Sequence, residues 1–198
     1  MQRTWEFSAA GREMARKLRA GTRCVRGAFT ILELMIAITL VSLILVAMSN
    51  SILTSMKVTG VNRESALAAD GLAAMMERLQ GAGHFSDVFK LYNANPADDP
   101  GMPGTAPGPN FSIPGLQPVD GDPDGFVGEI VFPTIANELR EDVVDPRLGM
   151  PRDLSGDGNI DNLPHSVGYK LLPVLLRVRW KGVGVARSME IRTLLADR

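Results

Sequence analysis

Five oxygen-bearing side chains stand at alternate positions near residue 157. They are Asp153, Ser155, Asp157, Asn159 and Asp161. Oxygen ligands in this alternation, with a glycine (here Gly158) at the sharp turn, wrap a calcium ion in EF-hand-type loops. The twelfth loop position is Pro164 and not a bidentate carboxylate, so Asp161 or a carboxylate elsewhere would have to complete the shell. The pattern predicts a weak Ca²⁺ site, and the alternative is a water-exposed loop of Asx turns.

A second acidic alternation lies at Asp120, Asp122 and Asp124, where Pro123 stiffens the chain. Residues 87–161 as a whole carry a net charge of −10. Bound Ca²⁺ would relieve this crowding of negative charge, whereas a solvated acidic surface needs no ion at all. Both interpretations stay open from the residues.

Residues for catalysis are few. The chain has two histidines, His84 and His165, and we interpret each as a surface or cap residue and not as a general base. The single cysteine, Cys24, excludes a disulfide framework and a cysteine-based zinc site. No phosphate-binding loop or nucleophile elbow is present in the sequence. We therefore predict a protein that is not an enzyme and requires no cofactor.

Glu33 is the single ionisable residue among residues 29–56. This run of 28 residues exceeds the roughly 20 needed to span a bilayer. A carboxylate inside a membrane costs about 2.5–3.5 kcal/mol even on insertion scales, so Glu33 must either serve an interaction or lie at the headgroup level. Residues 1–28 carry a net charge of +5 and the rest of the chain carries −6. This distribution predicts that the N-terminus lies in the cytoplasm and the acidic remainder lies outside it. An acidic exported part gives no reason to expect nucleic-acid binding. A secretory signal peptide would have a shorter apolar core followed by a small-residue cleavage site. Here the apolar run is longer, and the small-residue pair Gly27-Ala28 precedes it, which disfavours a signal peptide.

The residues from Arg26 to Ile36 read Arg-Gly-Ala-Phe-Thr-Ile-Leu-Glu-Leu-Met-Ile. This segment resembles the processing site of type IV prepilins and type II secretion pseudopilins. The resemblance implies that prepilin peptidase cuts between Ala28 and Phe29 and methylates the new amine of Phe29, which makes Glu33 the fifth mature residue. The family usually has glycine directly before the cut, and a cut after Gly27 would make Glu33 the sixth. We favour the cut after Ala28, because Phe is then first and Glu fifth.

The resemblance implies a function in assembly. In the family, the carboxylate that corresponds to Glu33 pairs with the N-terminal amine of a neighbouring subunit. The implied partners are other pilin or pseudopilin subunits, prepilin peptidase and an inner-membrane assembly platform. The implied location is the bacterial inner membrane, with a single pass and a periplasmic head, and later a pilus or pseudopilus fibre. The acidic head and the lack of a disulfide favour a minor or tip subunit. The alternative is a signal-anchored periplasmic binding module, calcium-dependent or not, that does not polymerise.

The apolar run and the predicted processing site require a long helix that begins close to them. We expect it over residues 29–80, with residues 29–56 as its membrane half and residues 57–83 as its amphipathic half with the stop. The stop is Gly81-Ala82-Gly83. An apolar stripe of helical period should pack this second half onto a head. Its positions are Val58, Val61, Ser65, Ala68, Leu72, Met75 and Leu79.

The head should comprise residues 84–198. Residues 86–125 are rich in proline and glycine and predict a long, partly ordered surface loop. Alternating apolar residues predict a strand at Phe126–Phe132 and a C-terminal hairpin within residues 170–195. Glu138–Asp142 predicts a short polar connection. The fold class is thus α+β, with a long N-terminal helix packed on a small antiparallel sheet, the layout of pilins.

Overall fold

The computed structural model describes residues 30–197 of the chain. These residues form an α+β fold, as the sequence predicts, and the chain divides after Ser51 into two units. The helices are α1 (Ile31–Gln80) and α2 (Phe85–Tyr92). The strands are β1 (Asn110–Phe111), β2 (Gly128–Val131), β3 (Thr134–Ile135), β4 (Glu138–Leu139), β5 (Leu171–Lys181) and β6 (Ala186–Ala196).

Helix α1 begins and ends close to the predicted bounds. It begins after Thr30 and is continuous over 50 residues. Its last turn closes with a hydrogen bond from the N–H of Gly81 to the carbonyl of Glu77 at 2.8 Å. Gly83 then adopts a φ of 66°, a conformation that favours glycine and turns the chain away from the helix axis.

The C-terminal half of α1 packs on the head through part of the predicted stripe. Ala68, Leu72, Met75 and Leu79 are buried in the core. Val58, the first stripe position, is 52% exposed. The stripe is therefore a core-packing surface only from its middle onward.

The main sheet has four antiparallel strands in the order β1-β2-β5-β6. Strands β5 and β6 form the predicted hairpin, with Leu176 opposite Ile191 and Val178 opposite Met189. Strand β2 lies within the predicted Phe126–Phe132. The alternation predicted for the hairpin does not extend to Leu175, which is fully buried although it alternates with the buried Leu176. Strand β5 is a central strand, and its first half is buried on both faces.

The segment 86–125 departs from the predicted surface loop. It starts inside α2, where Val88 and Phe89 are buried. Ile113 is also buried, and its side chain lies where a Cβ on Gly71 of α1 would be, only 2.5 Å from that position. The ring of Phe111 covers the backbone of Gly128 in the same manner. Glycines on the helix and on β2 thus allow the proline-rich chain to pack closely.

The prediction of Glu138–Asp142 as a short polar connection is wrong, because the segment contains a strand and buried residues. Glu138 and Leu139 form β4, which pairs with β3 across a two-residue turn. Ala136 and Asn137 in that turn have φ values of 53° and 68°, as tight hairpin turns require. Leu139 is fully buried and Glu141 is 1% exposed. The connection therefore contributes to the core.

Candidate functional site

The N-terminal part of α1 exposes apolar side chains on all sides. The large apolar side chains from Ile31 to Met48 are between 51% and 81% exposed. A helix that is apolar all round needs a lipid or protein environment, since water solvates it poorly. Among the described residues, α1 is the helix that is long and apolar enough to cross a membrane.

Glu33 lies in the first turn of this exposed helix. Its backbone N–H donates a hydrogen bond to Oγ1 of Thr30 at 3.2 Å, and the N–H of Leu34 donates to the Thr30 carbonyl at 3.1 Å. Thr30 is therefore the N-cap of α1, through its side-chain hydroxyl, and the sequence analysis did not single it out. Within residues 30–197 the Glu33 carboxylate has no ion-pair partner. An acid there interacts favourably with the helix dipole and is also open to an external cation.

The other residues of the predicted processing site are Gly27, Ala28 and Phe29. They lie outside the described residues, so the cleavage site and the methylation stay predictions. Thr30 is the first described residue, and it directly follows the predicted mature N-terminus.

The predicted calcium loop is organised by hydrogen bonds within the loop. Oδ1 of Asp153 accepts from the N–H of Gly156 at 2.6 Å, and Oδ2 accepts from the N–H of Gly158 at 2.8 Å. The Ser155 hydroxyl donates to the same carboxylate at 3.2 Å. These donors, Gly158 above all, hold the pKa of Asp153 below its usual value.

The remaining members of the loop continue this pattern. Oδ1 of Asp157 accepts from the N–H of Asn159 at 2.8 Å, which is an Asx turn. Oδ1 of Asp161 accepts from the N–H of Leu163 at 2.8 Å, and this bond more than any other lowers the pKa of Asp161. The bonds are those of the Asx-turn alternative, and calcium binding stays a prediction.

Asp161 lies in a different cluster from Asp153 and Asp157. Within residues 30–197, ligand atoms of Glu141, Asp161 and His165 lie within 4.8 Å of one another, and the other two loop carboxylates are not part of that group. The three loop carboxylates therefore do not meet at one centre. Glu141 belongs to this second cluster, and the sequence analysis did not single it out because it is distant in sequence from Asp161.

Glu141 is a buried carboxylate that holds the loop to the head. Its Oε1 accepts from the N–H groups of Leu154 at 2.7 Å and Ser155 at 3.0 Å. Its Oε2 faces the N–H of Asp161 at 3.3 Å. A buried charge needs such donors to offset its lost hydration. Glu141 thus fixes both ends of the segment 154–161.

His165 completes this cluster, and its prediction as a surface residue is wrong. Its side chain is 13% exposed. Its Nε2 lies 2.9 Å from Oδ1 of Asp161 and 3.6 Å from Oε1 of Glu141. The backbone N–H of His165 also donates to the Leu139 carbonyl at 2.8 Å. His84, by contrast, is the N-cap residue of α2, in agreement with its predicted cap position.

The second acidic segment is neutralised by the hairpin. Asp120 pairs with Lys181 at 2.8 Å, and the Asp122 side chain, 8% exposed, lies 3.8 Å from Nη2 of Arg179. Oδ1 of Asp124 accepts from the N–H of Phe126 at 3.0 Å. Cations of β5 and backbone donors therefore offset much of the negative charge that the sequence concentrates here.

The architecture defines a class of fold, an N-terminal apolar helix whose C-terminal half packs on a small antiparallel sheet. This layout is compatible with a pilin-like fold. No family model matches the chain, and no curated protein or solved structure matches it either.

Proposed function

We propose that this chain is a structural subunit, a minor pilin or minor pseudopilin, of a type IV pilus or a type II secretion pseudopilus. The observation that carries the proposal is the exposed, apolar N-terminal part of α1 with one carboxylate, Glu33, in its first turn. The resemblance of residues 26–36 to a prepilin processing site supports the same function from the sequence alone.

The proposed mechanism begins in the inner membrane. Prepilin peptidase removes residues 1–28 and methylates Phe29, and the apolar helix holds the processed chain in the bilayer. An assembly platform then extracts it into a fibre, in which neighbouring helices replace lipid around the exposed apolar surface.

Glu33 gives this assembly its specificity. Opposite charges attract strongly in a helix bundle of low dielectric constant, and each is costly to leave unpaired there. The amine of Phe29 on a neighbouring subunit supplies the cation. The capping bond to Thr30 uses only the backbone N–H of Glu33, so the carboxylate stays open to that amine.

The test is the incorporation of variants into sheared fibres. We expect Glu33→Ala to insert into membranes at the wild-type level and to be lost from fibres. Glu77→Ala is the matched control, because Glu77 is an exposed acid on the same helix, and it should assemble normally. Normal assembly of Glu33→Ala would refute the pairing. A chain that inserts but never enters fibres, with its leader retained, would instead be a signal-anchored binding module.

A further inference from the structure

The tip of the β5–β6 hairpin carries apolar side chains in an unusual place. Its residues are Gly182, Val183, Gly184 and Val185. Val183 is 45% exposed and Val185 is 63% exposed. Tight turns are ordinarily built from glycine, asparagine, aspartate and other polar residues. Single exposed apolar residues are common on protein surfaces. These two valines therefore indicate a binding surface only if their position relative to α1 supports one.

The hairpin tip lies against α1 at Gly60. A Cβ on Gly60 would be 3.5 Å from Cγ2 of Val183, which is ordinary van der Waals contact. The turn itself is closed by a hydrogen bond from the N–H of Gly182 to the carbonyl of Val185 at 3.1 Å. The tip therefore lies at the level of Gly60 on α1.

That level is close to the end of the apolar run. Met56, 67% exposed, is the last residue of the run, and Lys57 is the first basic residue after it. Four residues of helix separate Met56 from Gly60, a rise of about 6 Å. The headgroup layer of one leaflet is about 5–8 Å thick, which is close to this rise.

We propose that the hairpin tip is a membrane-surface anchor, with Val183 and Val185 in the headgroup layer of the leaflet from which α1 emerges. The inference rests on the proposed function in one respect, because it takes the apolar run to lie in a bilayer. The partner is a lipid surface. Valine side chains at that depth leave water for an apolar environment.

Basic side chains at the same level fit this partner. Lys57 is exposed on α1, and the Lys181 side chain at the base of the tip is 53% exposed. Lys181 pairs with Asp120, whose side chain is 78% exposed, and such an exposed pair is weak enough to be shared with a lipid phosphate. Long basic side chains at an interface place their charge among headgroups while their stems cover apolar surface.

The experiment places an environment-sensitive fluorophore at single cysteines of the full chain, with Cys24→Ser as background. The protein is reconstituted into phosphatidylethanolamine–phosphatidylglycerol vesicles. We expect the label at Val185→Cys to show blue-shifted emission and to lose most of its intensity when the lipids carry brominated acyl chains. Val167→Cys is the matched control, because Val167 is a 74% exposed valine in a loop outside the tip, and its label should report water.

A third label, at Leu45→Cys, separates this inference from the proposed function. Quenching at Leu45 with an aqueous signal at Val185 would overturn the anchor alone. An aqueous signal at Leu45 would overturn membrane insertion and the anchor together. The measurement is repeated at a low protein-to-lipid ratio. A signal at Val185 that persists on dilution supports lipid contact, and one that disappears would assign the tip to a second copy of the chain.

Discussion

The indole nitrogen of Trp180 donates a hydrogen bond to Oε2 of Glu64 at 3.2 Å. This bond joins β5 to α1 over a separation of 116 residues in sequence. Trp180 is 2% exposed, so its N–H has lost water and requires a protein acceptor. The Glu64 carboxylate thus orients α1 against the sheet, although the sequence gives no reason to single out this residue.

We expect Glu64→Ala to lower the free energy of unfolding by about 1–2 kcal/mol, because it leaves the buried Trp180 N–H without its acceptor. Glu64→Gln keeps an amide oxygen at the same place and should stay close to wild type. Urea unfolding of the full chain in detergent, followed by tryptophan fluorescence, measures both. Equal stability of the two variants would show that the bond contributes nothing.

Gly71 and Gly60 on α1 should respond to alanine in opposite directions. A Cβ on Gly71 would lie 2.5 Å from Cδ1 of the buried Ile113, so overpacking should cost about 1–3 kcal/mol and outweigh the gain in helix propensity. Gly60→Ala meets only ordinary contact and should gain about 1 kcal/mol. The melting temperatures of Gly71→Ala, Gly60→Ala and the wild type measure these effects. Ile113→Val in the Gly71→Ala background should restore part of the loss, and equal effects at the two glycines would contradict the packing.

Glu141→Gln should be strongly destabilising. The amide keeps one oxygen but turns an NH₂ group toward backbone N–H donors, and the charge that strengthened these bonds is lost. We expect a loss of about 2–3 kcal/mol in urea unfolding. The exposed Glu138 gives the matched control, since Glu138→Gln should change stability by less than about 0.5 kcal/mol. A loss at Glu138 as large as that at Glu141 would remove the special role of the buried acid.

Acidification should weaken the loop around Asp153. Backbone donors, first the N–H of Gly158, lower the pKa of this carboxyl in the folded chain. Its contribution to stability is therefore complete above the unfolded-state pKa of about 4 and is lost as the pH falls through the lower folded-state pKa. Asp153→Asn should make the melting temperature less dependent on pH in this acidic range. An unchanged dependence would contradict the assignment.

The same melting experiment tests calcium. With the hydrogen bonds described, Asp153→Asn should lower the melting temperature in chelator as well as in Ca²⁺. A melting temperature of the parent chain that rises with Ca²⁺, together with loss of that rise in Asp157→Ala, would confirm the calcium prediction. Identical melting of the parent chain in Ca²⁺ and in chelator would leave the Asx-turn loop as the complete explanation.

Patterns local in sequence predicted most of the fold. The apolar run and the Gly81-Ala82-Gly83 stop gave α1, and the alternation around Trp180 gave the hairpin, shifted by one residue. Helix α2 was missed because it is 8 residues long and its N-cap, His84, makes no side-chain capping bond. Its helical signal was too short to separate it from the proline-rich chain that follows.

The candidate sites were harder to predict because their partners are distant in sequence. Glu141 lies 13 residues from Leu154, whose N–H it accepts, and nothing in its surroundings marks it as buried. Asp161 fitted an alternating loop but contacts His165 instead of the loop centre. Glu33, by contrast, was visible as the single charge in an apolar run. The assembly role that we propose for Glu33 depends on an amine from another subunit, which a single chain does not contain.

The most direct test of the account is the N-terminus of the mature chain, measured by intact-mass and N-terminal peptide mass spectrometry on protein purified from its native membrane. We predict that the chain begins with N-methylated Phe29, which makes Glu33 the fifth residue of the mature chain. A chain that begins with Ala28 would move the cut by one residue. Recovery of the protein with residues 1–28 still attached would contradict assembly through Glu33.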